Sequence, residues 1–357
     1  MRFSLPIACF FAAVSLTLAH CGAGGSSTEV SPPPGDAGFG ASDADDATAA
    51  VSADATGPAE ASSPTDASVP LDTTVARRAL RFIAVGDTGT GSADQFKVAA
   101  AMKAKCDADG CDFVQLMGDN FYDSGVSAAS DPQFATKFEQ PYALLPVPFW
   151  VVLGNHDYGG NGAGTEFGKP DFQVAYAANS TKFKLPARHW HRVEGAAEFF
   201  GLDTNEQMFD RAAVQKTSVS AWIAASTSKW KIAIGHHPYL SNGPHGNAGR
   251  YDGVAFVPIV NGSNVKKFFD DVVCGKVDVY ISGHDHNRQY LQDTCGGKTA
   301  LMVSGAGAKV TALSGTNPTF YQASTLGFIY ITVDDGSLTS EFIDANGRSE
   351  YTRTIRK

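Results

Sequence analysis

One arrangement of apolar and polar positions recurs five times along the chain. Arg81–Asp87 reads RFIAVGD, Asp112–Asn120 DFVQLMGDN, Phe149–Asp157 FWVVLGNHD, Trp230–Pro238 WKIAIGHHP and Val277–His286 VDVYISGHDH. Each begins as a short apolar run rich in β-branched residues, the pattern of a strand buried on both faces. Each run ends in glycine (Gly86, Gly118, Gly154, Gly235, Gly283), followed at once by Asp, Asn or His. Glycine permits a sharp turn and a close backbone approach, so the next side chain projects from the strand end. Between the runs, Asp94–Lys105, Gln133–Leu145, Val219–Ser226 and Val265–Val273 read as helices. Strands alternating with helices predict an α/β domain whose loops gather at the C-terminal edge of a sheet. The spacing is irregular, so the runs are not a sequence repeat.

The polar residues after the glycines suit a pair of cations. Asp87, Asp119, Tyr122, Asn155, His236, His284 and His286 supply seven ligands. If Asp119 bridges, each ion has four, and positions remain for water and substrate. Two such ions about 3.5–4 Å apart are the arrangement used to hydrolyse phosphate esters. Tyr122, three residues after Asp119, sharpens the reading. A phenol with an ordinary pKa of about 10 must lose its proton to bind, and Fe(III) is the common hard ion that meets that demand.

Composition sets the context. Met1–Ala19 carries a lone Arg2, an apolar centre and no acid, which reads as a secretory signal over residues 1–20. The run Leu18-Ala19-His20-Cys21 resembles a bacterial lipoprotein cleavage box, with His20 in place of the usual small residue, so a lipid anchor on Cys21 is expected, with ordinary secretion as the alternative. Residues 21–75 are mostly Ala, Ser, Asp, Gly, Pro and Thr, too poor in apolar surface to offset ordering entropy, and read as a flexible tether. The net charge of −9 belongs to that tether: without Arg2 and its nine acids, 27 bases face 28 acids. No basic stripe invites nucleic acid. Residues 76–357 are long enough for one large catalytic domain. Cys106, Cys111, Cys274 and Cys295 lie within it, and three disulfide pairings are formally open. Cys106–Cys111, across a short turn, and Cys274–Cys295, clasping the last ligand loop, are the favoured pairs. Zinc binding is the rival reading, and the lack of a CxxC argues against it.

The ordered set GD, GDNxY, GNHD, GHxP and GHDH resembles the metallophosphoesterases of the calcineurin-like superfamily, and Tyr122 narrows the resemblance to purple acid phosphatases. GDNFYDSGV and GHDHNRQYLQD look most like the small, tartrate-resistant branch. The resemblance implies a four-layer α/β fold, two mixed β-sheets packed face to face and flanked by α-helices. It implies an Fe(III) site of Asp87, Asp119, Tyr122 and His286, and a divalent site (Fe, Zn or Mn) of Asp119, Asn155, His236 and His284. His156 and His245 match the family's substrate-facing histidines. The implied reaction is attack of a metal-bound hydroxide on a phosphomonoester, with an acid optimum. His156 or His245 would stabilise the phosphate charge or protonate the leaving group. Small phosphomonoesters are the expected partners, the membrane only through Cys21, and the state a monomer.

This chain departs from the family in three places. Thr88 replaces a frequent Trp, and His237 replaces a Tyr and adds an imidazole to the cleft. The stretch from Thr204 to Trp222 is too short for the long regulatory loop of the animal enzymes. Asp157 and Asp285 are expected to orient ligand histidines. His189 and His191 belong to a hairpin turning at Glu194-Gly195, Trp150, Trp190, Trp222 and Trp230 to core or edge, and Ser304–Ala308 to a turn near the site floor. Nothing in the motifs is visibly built for a leaving group, so broad substrate use is expected. Two rival functions stand beside this reading. A phosphodiesterase or nucleotidase with two divalent ions would lack the phenolate. A non-catalytic surface protein on this scaffold would be expected to have lost a ligand.

Overall fold

The computed structural model describes residues 78–251 and 257–357. The expected signal peptide, Cys21 anchor and tether lie outside the described residues, which belong to a unit beginning at Asp72. Among them, fourteen strands form two sheets of seven. In chain order the first sheet takes β1 (Leu80–Val85), β2 (Phe113–Met117), β3 (Phe149–Val152), β4 (Phe183–Lys184), β12 (Gly327–Val333), β13 (Ser337–Asp344) and β14 (Ser349–Arg356). The second takes β5 (Trp190–Glu194), β6 (Ala197–Gly201), β7 (Trp230–Ile234), β8 (Val279–Ser282), β9 (Arg288–Leu291), β10 (Ala300–Ser304) and β11 (Thr319–Ala323). Both are mixed: the pairs β1–β2, β2–β3 and β3–β4 are parallel and β1–β12, β12–β13 and β13–β14 antiparallel, while β6–β7, β7–β8 and β8–β10 are parallel and β5–β6, β9–β10 and β9–β11 antiparallel.

The sheets face each other through aromatic side chains. Phe82 and Phe113 of the first sheet stack with centroids 4.8 Å apart, and both meet Phe199 of the second edge-on at 5.3 Å. All three are buried, each contributing roughly 1.5–3 kcal/mol by leaving water. Helix α1 (Ala93–Asp109) buries Val98, Ala99 and Met102. Helices α2 (Pro170–Asn179), α3 (Thr204–Met208), α4 (Ala213–Ala225), α5 (Pro258–Asn261) and α6 (Ser263–Phe268) follow. Val219 and Ile223 of α4, with Val265 and Phe268 of α6, share a second apolar cluster with Phe200, Ala233 and Tyr280 of the second sheet. No helix among the described residues is long and apolar enough to cross a membrane.

Four of the predicted strands end before their glycines and the fifth, β3, one residue earlier, because the turn leaves the hydrogen-bond ladder there. The helix expected over Gln133–Leu145 is shorter: it opens at Gln133, passes into a π-helical turn, Ala135–Glu139, and gives way to irregular turns. Pro141 explains it: proline lacks the N–H for an α-helical bond and its ring crowds the preceding turn. Cys106–Cys111 and Cys274–Cys295 are both disulfides, with Cα atoms 5.0 and 4.8 Å apart. Their presence matches an oxidising compartment. The β5–β6 hairpin turns at Gly195 (φ 56°) as expected, and His191 pairs with Glu198 across it at 2.8 Å.

Candidate metal centre

The C-terminal ends of β1, β2, β3, β7 and β8 converge, and each delivers its polar residue to one place. Gly86 N donates to Ser304 O at 2.7 Å, and Ser304 Oγ donates to Ala84 O at 2.8 Å. These bonds tie the end of β10 to the end of β1. A Cβ on Gly305 would fall 2.7 Å from Asp87 Oδ2, so the turn after β10 forms the floor beneath that carboxylate. Gly154 is equally constrained: a Cβ there would lie 2.2 Å from Asp119 Oδ1. Gly118 has φ +87°, and its Cβ would meet His236 Nδ1 at 2.7 Å.

Two donor groups result, and Asp119 belongs to both. Ligand atoms of Asp87, Asp119 and His286 lie within 4.8 Å of one another. The Tyr122 hydroxyl donates to Asp87 Oδ1 at 3.0 Å and lies 3.0 Å from His286 Nε2. In the second group His236 Nε2 stands 2.9 Å from Asn155 Oδ1, 3.1 Å from His284 Nδ1 and 3.4 Å from Asp119 Oδ1. The other nitrogen of His236 is hydrogen-bonded to Met117 O at 2.8 Å. A carbonyl can only accept, so Nδ1 carries a proton, and Nε2 is the nitrogen turned toward Asn155 and Asp119.

Electrostatics favour cations here. Burial raises the Tyr122 phenol, and Asp119 and Asp87 raise it further, well above its ordinary value. The phenolate therefore forms only against a strong positive charge. Burial pushes His284 well below its ordinary value, with His245, His237, His236 and His286 adding to the shift, so it is a neutral imidazole. Burial would raise Asp119, but His236, His156 and the His156 amide outweigh it and keep the carboxyl below its usual value. Hard oxygen donors, the neutral imidazole of His284 and a shared carboxylate fit two cations.

The structure brings all seven expected ligands together and sets the other predicted residues around them. His156 packs on the Tyr122 ring, centroids 4.4 Å apart, and its Nδ1 donates to Asp123 O at 2.6 Å. Its Nε2 lies 4.0 Å from Asp119 Oδ2. The His245 ring lies 4.0 Å from that of His284. His237 is almost fully buried; its Nδ1 lies 2.8 Å from Thr204 Oγ1. That hydroxyl already accepts from the His236 and His237 amides, at 3.3 and 3.1 Å. Its proton therefore goes to Nδ1, which fixes a neutral His237 protonated on Nε2.

Asp157 and Asp285 act differently from the expectation. Asp157 touches no ligand histidine; it accepts from Gly154 N at 2.8 Å, Asn120 N at 3.0 Å and Phe121 N at 3.2 Å, clamping two ligand loops. Asp285 Oδ1 accepts from His245 N at 3.0 Å and holds that loop instead. Sequence reasoning passed over Thr204 and Lys309, whose ammonium sits 3.5 Å from the Tyr122 ring centroid. It also passed over Ala163, Asn205, Met208 and Phe209, which with Asn155, His237, His245 and His284 line a cavity of about 230 Å³. The glycine-rich run after Tyr158 was the one visible signal for this wall.

Residues 80–288 match the calcineurin-like phosphoesterase family. Tartrate-resistant acid phosphatase type 5 of Sus scrofa is 30% identical over 314 residues, 76% of this chain and 85% of that protein. Purple acid phosphatase 4 of Arabidopsis thaliana is 28% identical over 301 residues, 76% of this chain and 82% of that protein. Among solved structures, GAP50, the anchor in the inner membrane complex of Plasmodium, superposes with TM-score 0.62 at 22% identity, over 78% of this chain and 89% of that one. That last likeness concerns the fold alone. The chain belongs to the calcineurin-like phosphoesterase family, among the relatives of the tartrate-resistant and purple acid phosphatases.

Proposed function

We propose that this metal-dependent phosphatase is an exported acid phosphatase that hydrolyses phosphomonoesters at a dinuclear centre of Fe(III) and a divalent ion, Fe, Zn or Mn. One observation carries the reading. A buried phenol, Tyr122, stands 3.0 Å from both Asp87 Oδ1 and His286 Nε2, beside the carboxylate shared with Asn155, His236 and His284. Curated relatives named as acid phosphatases support the reaction class. The two disulfides and the signal-like N-terminus support export.

Asp87, Asp119, Tyr122 and His286 would hold Fe(III), and Asp119, Asn155, His236 and His284 the divalent ion. When bound, such a pair supplies an acidified water as nucleophile and neutralises phosphate oxygens. The chain's own residues do the rest. Met117 O fixes a proton on His236 Nδ1, and Thr204 Oγ1 fixes the tautomer of His237. His156, anchored through Nδ1, presents Nε2 beside Asp119. Asp285 holds the His245 loop against His284, where the imidazole can donate to an ester oxygen.

The test is hydrolysis of 4-nitrophenyl phosphate and bis(4-nitrophenyl) phosphate by protein reconstituted with iron and zinc. Preferential monoester cleavage on the acid side of neutrality, abolished by chelation, is expected. Preference for the diester, or turnover indifferent to chelation, would reject the reading.

A further inference from the structure

The cavity beside the centre is built more selectively than phosphate binding requires. It is reached from Asn155 and His284, the expected ligands of the divalent ion, and from His245. Tyr122, His286 and His156 do not line it. An ester whose phosphate occupies the centre thus has this space open to its leaving group. The remaining lining is Gly162, Ala163, Met208, Phe209 and Val260 with Asn205 and His237, and no Asp, Glu, Lys or Arg lines it among the described residues.

That wall is held rigidly. Asp203 caps α3 by accepting from Glu206 N at 3.1 Å, and its side chain also accepts from the buried Tyr158 hydroxyl. Thr204 Oγ1 bonds both His236 and His237, so the first residue of α3 is tied to the ligand turn itself. Asn205 Nδ2 donates to Gly164 O at 3.0 Å and fixes the glycine-rich loop. Phe209 packs edge-on against Phe167 at 5.3 Å. A preformed recess whose apolar side chains alternate with uncharged amides and imidazoles selects by shape and desolvation.

Resting on the phosphatase reading above, we propose that α3 and the residues flanking it form a leaving-group subsite. It favours phosphomonoesters of uncharged aromatic alcohols and phenols over small alkyl or polyanionic esters. In the reaction the oxygen of water bonds to phosphorus and the ester P–O bond breaks. The electron pair goes to the departing oxygen, which gains a proton and leaves as the neutral alcohol, with inorganic phosphate as the other product. Met208 is suited to the aromatic ring because its thioether is polarisable and adaptable.

Benzyl phosphate and ethyl phosphate, whose leaving alcohols are of similar acidity, separate this idea from general phosphatase activity. The metal-loaded wild type is expected to show kcat/KM about tenfold or more higher for the benzyl ester. Phe209→Ala and Met208→Ser should each reduce that ratio at least about threefold, and Phe209→Leu less. Equal kcat/KM for the two esters in the wild type would overturn the subsite, as would a ratio that survives both substitutions. If neither ester is cleaved, the phosphatase reading falls by itself. The subsite is then judged by calorimetric affinity for benzylphosphonate against ethylphosphonate, where equal affinities reject it.

Discussion

Asp87, Asp119 and His284 have φ of 59°, 54° and 70°, a region that side chains bearing a Cβ rarely adopt. Such backbone costs of order 1–3 kcal/mol per residue unless its surroundings enforce it. Here they do: Asp87 N donates to Gly118 O at 3.0 Å, and His284 N donates to Asp87 Oδ2 at 2.9 Å. Gly154 next to Asp119 leaves no space for a methyl. Gly154→Ala should therefore fold yet hold at most about half the metal of the wild type, measured by elemental analysis of the purified protein; undiminished metal would contradict the packing argument. Thr204→Val keeps the shape but strands two buried amides and an imidazole nitrogen. A loss of about 1–3 kcal/mol in urea unfolding is expected. The ligands were legible in the sequence because a metal demands particular donor types in a turn that demands glycine. Thr204, Phe209 and Lys309 were not. Their residue types are common in any role, and their partners lie far along the chain.

At the scale of elements, α3 replaces what the sequence suggested only as a shortened loop. Its N-cap, Asp203, is buried, and burial and then Glu206 push its carboxyl up to about 7 against a model-compound 3.8, although the Tyr158 hydroxyl opposes the shift. The folded protein thus keeps a proton that the unfolded chain releases above about pH 4. The stabilisation is fully present below that pH and is lost as pH rises through about 7. The melting temperature should fall by at least about 2 °C between mildly acid and mildly alkaline solution, and Asp203→Asn should flatten part of that slope. An unaltered slope in the variant would show that Asp203 titrates normally. Cys274–Cys295 joins the end of the segment after α6 to the turn before β10 across 21 positions. Replacing both cysteines by serine should cost about 3 kcal/mol in the chain-entropy account. The pairing was readable from spacing. The break at Pro141 was readable too, had the proline been weighed above the apolar periodicity.

Over the whole molecule, two mixed sheets bring the C-terminal ends of five parallel strands to one edge, so residues from Asp87 to His286 meet although they are spread over most of the domain. The five apolar runs predicted that edge well, because strands buried on both faces have an unambiguous composition. The antiparallel meander β12–β13–β14 was not predicted. Its alternating, half-exposed pattern in β13 and β14 carries no chemistry, and it resembles many edge sheets. Nor was the recess beside the centre. In the proposed centre Tyr122 binds a trivalent iron beside a second ion. That binding is tested most directly by the visible spectrum and metal content of the purified protein, repeated on Tyr122→Phe. A purple band in the wild type with about two metals per chain, and its disappearance in the variant, are expected. A colourless wild type that still carries two divalent ions would contradict it.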